Sequence, residues 1–147
     1  MTNPNQAHEA FSGTYAKIYE NGRWLAQFHG IEVKVEAKYD DVPQSGKLNA
    51  GKKFVGFEIT GSMKGSQYGS EFIERLSAAK DPSVPPLVTN MTMVNEDPAA
   101  RGPYKVEVTG IKFTSWPVFI AEHGAVIEHD FEFTAEDYEI LESVKDL

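Results

Sequence analysis

The stretch Gly46–Lys52 has the Gly-x4-Gly-Lys spacing of a loop whose backbone amides bind phosphate groups. In that motif a Ser or Thr follows the lysine and binds Mg²⁺, but here the next residue is Lys53. The motif also requires a helix to follow, because the amides at a helix N-terminus face the phosphates. The alternating residues from Phe54 onward predict a strand instead. We therefore predict a flexible loop here rather than a nucleotide site.

The histidines and paired carboxylates do not form a reactive site by local geometry. His123 and His129 are six residues apart, a spacing that regular structure does not bring together on a metal ion. His129 shares the apolar side of a predicted strand with two phenylalanines, which favours a packed or interface histidine. Asp40-Asp41 and Glu136-Asp137 are adjacent acids, and neighbouring side chains of an extended chain point apart. With no cysteine and no nucleophile–base pair, we predict no enzyme and no metal site.

The net charge of −8 is concentrated at one end of the chain. Residues 1–121 contain 13 acidic and 13 basic side chains, whereas residues 122–147 contain nine acids and one lysine. This balance argues against a duplex-DNA-binding protein, which needs a basic face to displace phosphate counterions. No stretch approaches the roughly 18 apolar residues that span a bilayer, and the N-terminus lacks the pattern of a signal peptide. We predict no membrane association.

The spacing of apolar residues predicts a mainly β (α+β) domain of six or seven strands. The first 13 residues are polar and are expected to form an N-terminal arm, with residues 14–147 forming a single domain. Asn21-Gly22 lies between two β-prone runs and predicts a tight hairpin. The other predicted strands, which rest mainly on alternation of apolar and polar residues, are 31–39, 54–64, 87–94, 104–114 and 127–134.

One helix and several irregular segments complete this prediction. A helix is predicted over residues 69–80, which Ser70 can cap and Asp81-Pro82 ends. The side-chain parity of the strand at 104–114 changes at Gly110, which indicates a bulge. Residues 40–53 lack periodicity and are predicted to form a long loop, and loops of that length are usually functional or disordered. The segment 136–144 fits either a short helix or an extended tail.

Long amphipathic strands pose a difficulty for a chain of this size. Strands of about nine to eleven residues span about 30–36 Å, and long exposed edges invite pairing with other chains. A closed ring of subunits can continue such sheets into one large barrel with an aqueous lumen. Two other interpretations are a small monomeric β-barrel that binds a small apolar ligand, and a small enzyme, which lacks a catalytic constellation.

The order of several short motifs resembles the tail tube proteins of contractile-tailed phages and related defective-prophage particles. The likeness runs from about Phe11 to the C-terminus, and its motifs are Ser12-Gly13, Asn21-Gly22, the Gly-containing loop before Phe54, Gly61, Asp81-Pro82, Arg101-Gly102 and residues 131–138. The resemblance implies a β-sandwich or partial barrel with one flanking helix, completed by ring assembly into a large β-barrel. It implies a structural virion protein, with no cofactor and no reaction, whose homohexameric rings stack head to tail as a tube inside a contractile sheath. Such a protein is assembled in the bacterial host cytoplasm into the virion tail, and DNA passes through it without specific binding.

Two sets of residues are candidates for building and lining such a tube. We expect the loop 40–53 to reach the neighbouring ring, through Asp40, Asp41, Gln44, Lys47, Asn49, Lys52 and Lys53. The candidates for facing the lumen lie on the polar sides of strands and are Glu58, Glu128, Asp130 and Glu132. Repeated around a ring, these carboxylates would repel phosphates, so that DNA slides without sticking. On the outer wall they would instead meet the sheath protein, and the sequence leaves both arrangements open.

Overall fold

Strands make up most of the regular structure in residues 3–146, the residues that this computed structural model describes. The eight strands are β1 (Ala16–Glu20), β2 (Arg23–Trp24), β3 (Phe28–Val42), β4 (Gly51–Ser66), β5 (Val88–Asn95), β6 (Tyr104–Ser115), β7 (Glu128–Ala135) and β8 (Asp137–Glu142). They form one antiparallel sheet in the order β2-β1-β5-β6-β7-β4-β3, and β8 also pairs with β6. The helix α1 (Glu71–Ser77) continues into a 3-10 turn at Ala78–Lys80. The prediction of a mainly β fold with one flanking helix is confirmed, with eight strands rather than six or seven.

The sheet bends into two layers because β6 changes partners along its length. The first half of β6 pairs with β8, and its second half pairs with β7. Gly110 lies between the two halves with φ +66°, and its amide donates a hydrogen bond to Asn90 Oδ1 at 3.0 Å. The register of β5 against β6 shifts between Thr89 and Met91, opposite this glycine. The predicted bulge at Gly110 is therefore confirmed, and it lies where the partner of β6 changes from β8 to β7.

The core lies between the two layers, at the end of the long strands where α1 packs. The largest fully buried side chains are Phe131, Phe133, Ile59, Met63, Met91, Ile111 and Val108. Phe72 of α1 contacts Phe28, Phe113 and Phe131 edge to face, with ring centroids 5.8, 5.2 and 5.3 Å apart. Each such pair contributes about 0.5–1.5 kcal/mol beyond the area it buries. The aromatic cluster therefore fixes the helix over the core.

An ion pair between the half-buried Arg75 and the buried Glu20 also holds α1 against the sheet. Arg75 Nη1 donates to Glu20 Oε1 at 2.6 Å, and the Thr89 hydroxyl donates to Glu20 Oε2 at 2.6 Å. Glu20 is buried, and its hydrogen bond raises the pKa of the Arg75 guanidinium above the usual value. Because removing one partner would leave a buried charge uncompensated, this contact fixes where the helix lies on β1 and β5.

The predicted loop 40–53 is shorter in the structure. β3 continues to Val42 and β4 begins at Gly51, so only residues 43–50 form the loop. Asp40 pairs with Lys53 and Asp41 with Lys52 across the ladder. These cross-strand pairs of opposite charge favour strand pairing but carry no alternation of apolar residues, which is why the strand ends were not predicted.

The two chain ends lie along the sheet. Residues 136–144, which fit two conformations in the sequence, contain the strand β8. Arg101 holds the N-terminal arm, because its Nε donates to Glu9 Oε2 and its Nη2 to Asn5 Oδ1, both at 2.9 Å. Residues 1 and 2 of the predicted arm, and residue 147, lie outside the described residues.

Gly61 gives a direct test of this packing. It lies on β4 between Ile59 and Met63, two fully buried residues on the same side of the strand. A Cβ added at this position would lie 2.6 Å from the Glu32 carbonyl oxygen and would overlap the ring of Phe133. We expect Gly61→Ala to lower the free energy of unfolding by about 1–3 kcal/mol, measured by urea denaturation of the subunit.

The matched control for this substitution is Gly69→Ala, whose Cβ would meet nothing within 4 Å. We expect it to change the free energy of unfolding by less than about 0.5 kcal/mol. Equal losses of stability in both variants would contradict the packing described.

Candidate functional site

The outward side of β3, β4 and β7 is a continuous polar surface, which we call the polar sheet face. Residues paired directly across an antiparallel ladder point to the same side, and the pairings of β4 with β3 and with β7 align the three strands in this way. The members of the face are Glu32, Lys34, Glu36, Lys38, Glu58, Thr60, Ser62, Lys64, Glu128, Asp130, Glu132 and Thr134. Its six carboxylates outnumber its three lysines, so the face is negative.

All four carboxylates that the sequence suggests for a lumen lie on the polar sheet face. The three acids of β7 are exposed, while the residues that alternate with them, His129, Phe131 and Phe133, are buried. Glu58 lies on β4 directly opposite Glu36 of β3. The structure therefore brings the four predicted residues onto one surface. Which side of an assembly that surface faces stays a prediction.

Half of the negative charge of this face is not offset by its own lysines. Lys38 Nζ lies 3.4 Å from Glu58 Oε2, and His29 Nε2 lies 3.2 Å from Glu128 Oε1. Both contacts are exposed to water, and the Lys38–Glu58 ion pair contributes only about 0–1 kcal/mol there. The other two acids of β7 take part in no ion pair within residues 3–146. The face therefore projects a negative field into the solvent in front of it.

Beyond the core, β3 and β4 continue as a two-stranded arm, which we define as residues 35–58. Residues 35–42 are all exposed, so the arm has solvent on both sides. One side continues the apolar side of the sheet and exposes Val35, Tyr39, Phe54 and Phe57. The rings of Tyr39 and Phe54 pack edge to face, with centroids 5.7 Å apart. A two-stranded hairpin is marginally stable alone in water, so an arm of this kind is typical of a segment that another surface completes.

The residues predicted to reach a neighbouring ring lie at the far end of this arm. Gln44, Lys47 and Asn49 are exposed in the loop 43–50, which we call the arm tip. The other four are in the paired strand ends, where Lys52 and Asp41 form an ion pair. The phosphate-loop spacing of Gly46–Lys52 spans this tip and the first two residues of β4, so a strand stands where a phosphate site needs a helix.

An apolar groove of about 460 Å³ opens between the two layers where the core ends. Ile31 and Val33 of β3 line one wall, and Met93, Val106 and Ile140 line the other. Val35 belongs to both the groove and the apolar side of the arm, so the two surfaces are continuous. The closed barrel of the ligand-binding alternative is not formed, because within residues 3–146 β3 pairs only with β4 and the strand order does not close.

Residues 116–127 form an exposed loop between β6 and β7 to which the sequence prediction gave no role. Val118, Phe119 and Val126 are 75%, 86% and 83% exposed, and Ile120 is also exposed. Three consecutive apolar residues at 118–120, just after a proline and outside any alternating pattern, are the signal that marks this loop in the sequence.

The remaining sequence candidates lie apart from these surfaces. His129 is buried with its ring centroid 6.1 Å from that of Phe131, whereas His123 is exposed in the loop 116–127. In the part of the chain that the structure describes, no three His, Asp or Glu side chains are grouped as metal ligands. Of the helices in residues 3–146, none has the length and apolar character to cross a bilayer.

The sequence was compared with protein-family models and with curated proteins. Residues 4–142 match a family model described as phage tail tube protein. No curated protein shows significant sequence similarity to this chain.

Solved structures from contractile and phage-like particles share the fold. A chain from the structure of the anti-feeding prophage cap (tube-terminating cap) has a TM-score of 0.73 at 10% identity, covering 96% of this chain and 97% of that chain. A chain from the sheath–tube complex of an extracellular contractile injection system (PVC) has a TM-score of 0.69 at 10% identity, covering 95% and 98%. A chain of a native gene transfer agent virion has a TM-score of 0.64 at 13% identity, covering 90% and 100%. Because the family match spans nearly the whole sequence, the predicted resemblance is confirmed, and the chain belongs to the phage tail tube protein family.

Proposed function

We propose that this protein assembles into hexameric rings that stack head to tail as the inner tube of a contractile tail. In this proposal the tube lies within a sheath, and DNA passes through it into the host during ejection. The observation that carries the proposal is an open sheet with a free β3 edge, in a chain that belongs to a tail tube family. The structural neighbour from a sheath–tube complex supports association with a sheath protein. The place of action is the virion tail, assembled in the bacterial host cytoplasm.

The edges of the sheet support ring closure. Within residues 3–146, β3 pairs on one side only, and β2 lies at the other end of the strand order. A neighbouring copy that pairs along a free edge extends the sheet, and a closed ring leaves no such edge exposed. The apolar groove and the apolar side of the arm border the same β3 strand, so an adjacent copy that covers them also buries their exposed side chains.

The polar sheet face lines the lumen in this arrangement. The other side of β4 and β7 is covered by α1 and the second layer. These elements fit on the outside of a curved wall, where the circumference is larger than on the inside. The uncovered side is therefore the one that borders the channel. Six copies of a net negative face repel phosphates, so that DNA moves through without specific binding.

The role of the arm tip in stacking can be tested by shortening it. Replacing residues 43–50 by Asn-Gly closes the hairpin with a two-residue turn and should leave the subunit folded, with an unchanged circular dichroism spectrum. We expect this variant to form no rods in negative-stain microscopy, because the segment that reaches the next ring is gone. Ser45→Ala, an exposed substitution in the same loop, is the control and should form normal rods. Rods of normal length from the shortened variant would refute the role of the tip.

The orientation of the polar sheet face can be tested by charge reversal. We expect the triple variant Glu128→Lys, Asp130→Lys, Glu132→Lys to form tubes that retain short duplex DNA in a nuclease-resistant form, because a basic lumen binds phosphates out of reach of the enzyme. The matched control reverses Glu107, Glu139 and Glu142 on β6 and β8 and should bind DNA that the nuclease degrades. DNA that stays sensitive on the first variant would place these acids on the outer wall.

A further inference from the structure

We infer that the loop 116–127 is the surface that receives the arm tip of the next copy in the stack. This inference rests on the proposed self-assembly and names the two surfaces that meet. The occupant it assigns to the loop is a second copy of this chain.

The loop and the arm tip lie at opposite ends of the longest ladder. β7 begins at Glu128 opposite Ser66, and the Gln67 amide donates to the Ile127 carbonyl at 3.0 Å, so the loop joins the sheet at the C-terminal end of β4. The tip joins the same strand at its N-terminal end, Gly51. The 16 residues of β4 extend about 50 Å at the usual rise. Stacking head to tail requires two different surfaces separated along the stacking direction, and these two meet that requirement.

Both surfaces expose apolar side chains that have no partner within the described subunit. Leu48, at the arm tip, is fully exposed, with a relative exposure of 106%. On the loop, Phe119 is 86% exposed and is flanked by Val118 and Ile120. Single exposed apolar residues are common on monomers, but several on one short loop mark a contact surface, and an aromatic side chain is a frequent anchor of such contacts.

The charges of the two surfaces are complementary. Lys47 on the arm tip takes part in no ion pair within residues 3–146, whereas Lys52 and Lys53 beside it lie opposite Asp41 and Asp40. The loop carries Glu122 and leads into the acidic strand β7, and no lysine or arginine occurs between Lys112 and Lys145. Tip-to-tip contact would oppose lysines and loop-to-loop contact would oppose carboxylates, whereas tip-to-loop contact pairs opposite charges. The charge pattern therefore favours the head-to-tail arrangement over a symmetric one.

Disulfide trapping tests this contact cleanly, because the chain contains no cysteine. Leu48→Cys and Phe119→Cys subunits are mixed, assembled under conditions in which the unmodified protein forms rods, and oxidised briefly. We expect the mixed disulfide dimer, which joins one Leu48→Cys subunit to one Phe119→Cys subunit, to exceed the dimer of two Leu48→Cys subunits by at least tenfold. The matched control mixes Leu48→Cys with Val84→Cys, an exposed apolar position in the loop after α1, and should give no such excess.

A second readout uses Phe119→Cys alone. We expect its reaction with a maleimide to slow at least tenfold when subunits enter rods, because the next copy covers the loop. The inference would be overturned by a Phe119→Cys thiol that stays fully reactive in rods, or by an equal yield of mixed disulfide dimer with the Val84→Cys control. Either result would leave the tube function standing and the loop free to contact a sheath protein. If the unmodified chain forms no rods or rings at all, the proposed function fails together with this inference.

Discussion

A strand at the border of a sheet leaves about half of its backbone amides and carbonyls without a strand partner, and the longest border strand in residues 3–146 is β3, with 15 residues. Many proteins protect such edges with prolines, inward charges or covering loops. β3 keeps an extended edge, and the side chains of its apolar side, such as Val35 and Tyr39, are exposed. Unpaired edges and exposed apolar surface are both unfavourable in a monomer. Both features therefore favour an edge that pairs with another copy of the chain.

Buried residues lie at one end of the ladder of β3 and β4 and exposed residues at the other, so one end stabilises the subunit and the other is available for assembly. At the end near α1, Met63 and the aromatic cluster form the core, and the Arg75–Glu20 pair holds the helix in place. At the other end the same two strands project as an arm with no core residues. Substitutions in the first half should therefore change the stability of the subunit, while those in the second half should change its association.

Local chemistry in the sequence predicted a good part of this fold. Asn21-Gly22 and Gly110 specify a turn and a bulge by themselves, and strict alternation identified the long strands. The strand ends around Asp41–Lys52 and the whole of β8 were not predicted, because their side chains are exposed and the segments are held by pairing with distant residues. The position of the acids on one face follows from register, which only the structure gives. Which side of a tube that face occupies depends on other copies of the chain.

Hydrogen–deuterium exchange of β3 tests the central claim most directly. If neighbouring copies complete the sheet, the outward-facing amides of residues 28–42 should exchange rapidly in the isolated subunit and at least tenfold more slowly in assembled rods. Residues 59–66 of β4 already lie between β3 and β7, so their exchange should change little and serves as the internal control. Exchange in β3 that is equally fast in subunits and rods would contradict the account, because it would show that no other copy pairs with this edge.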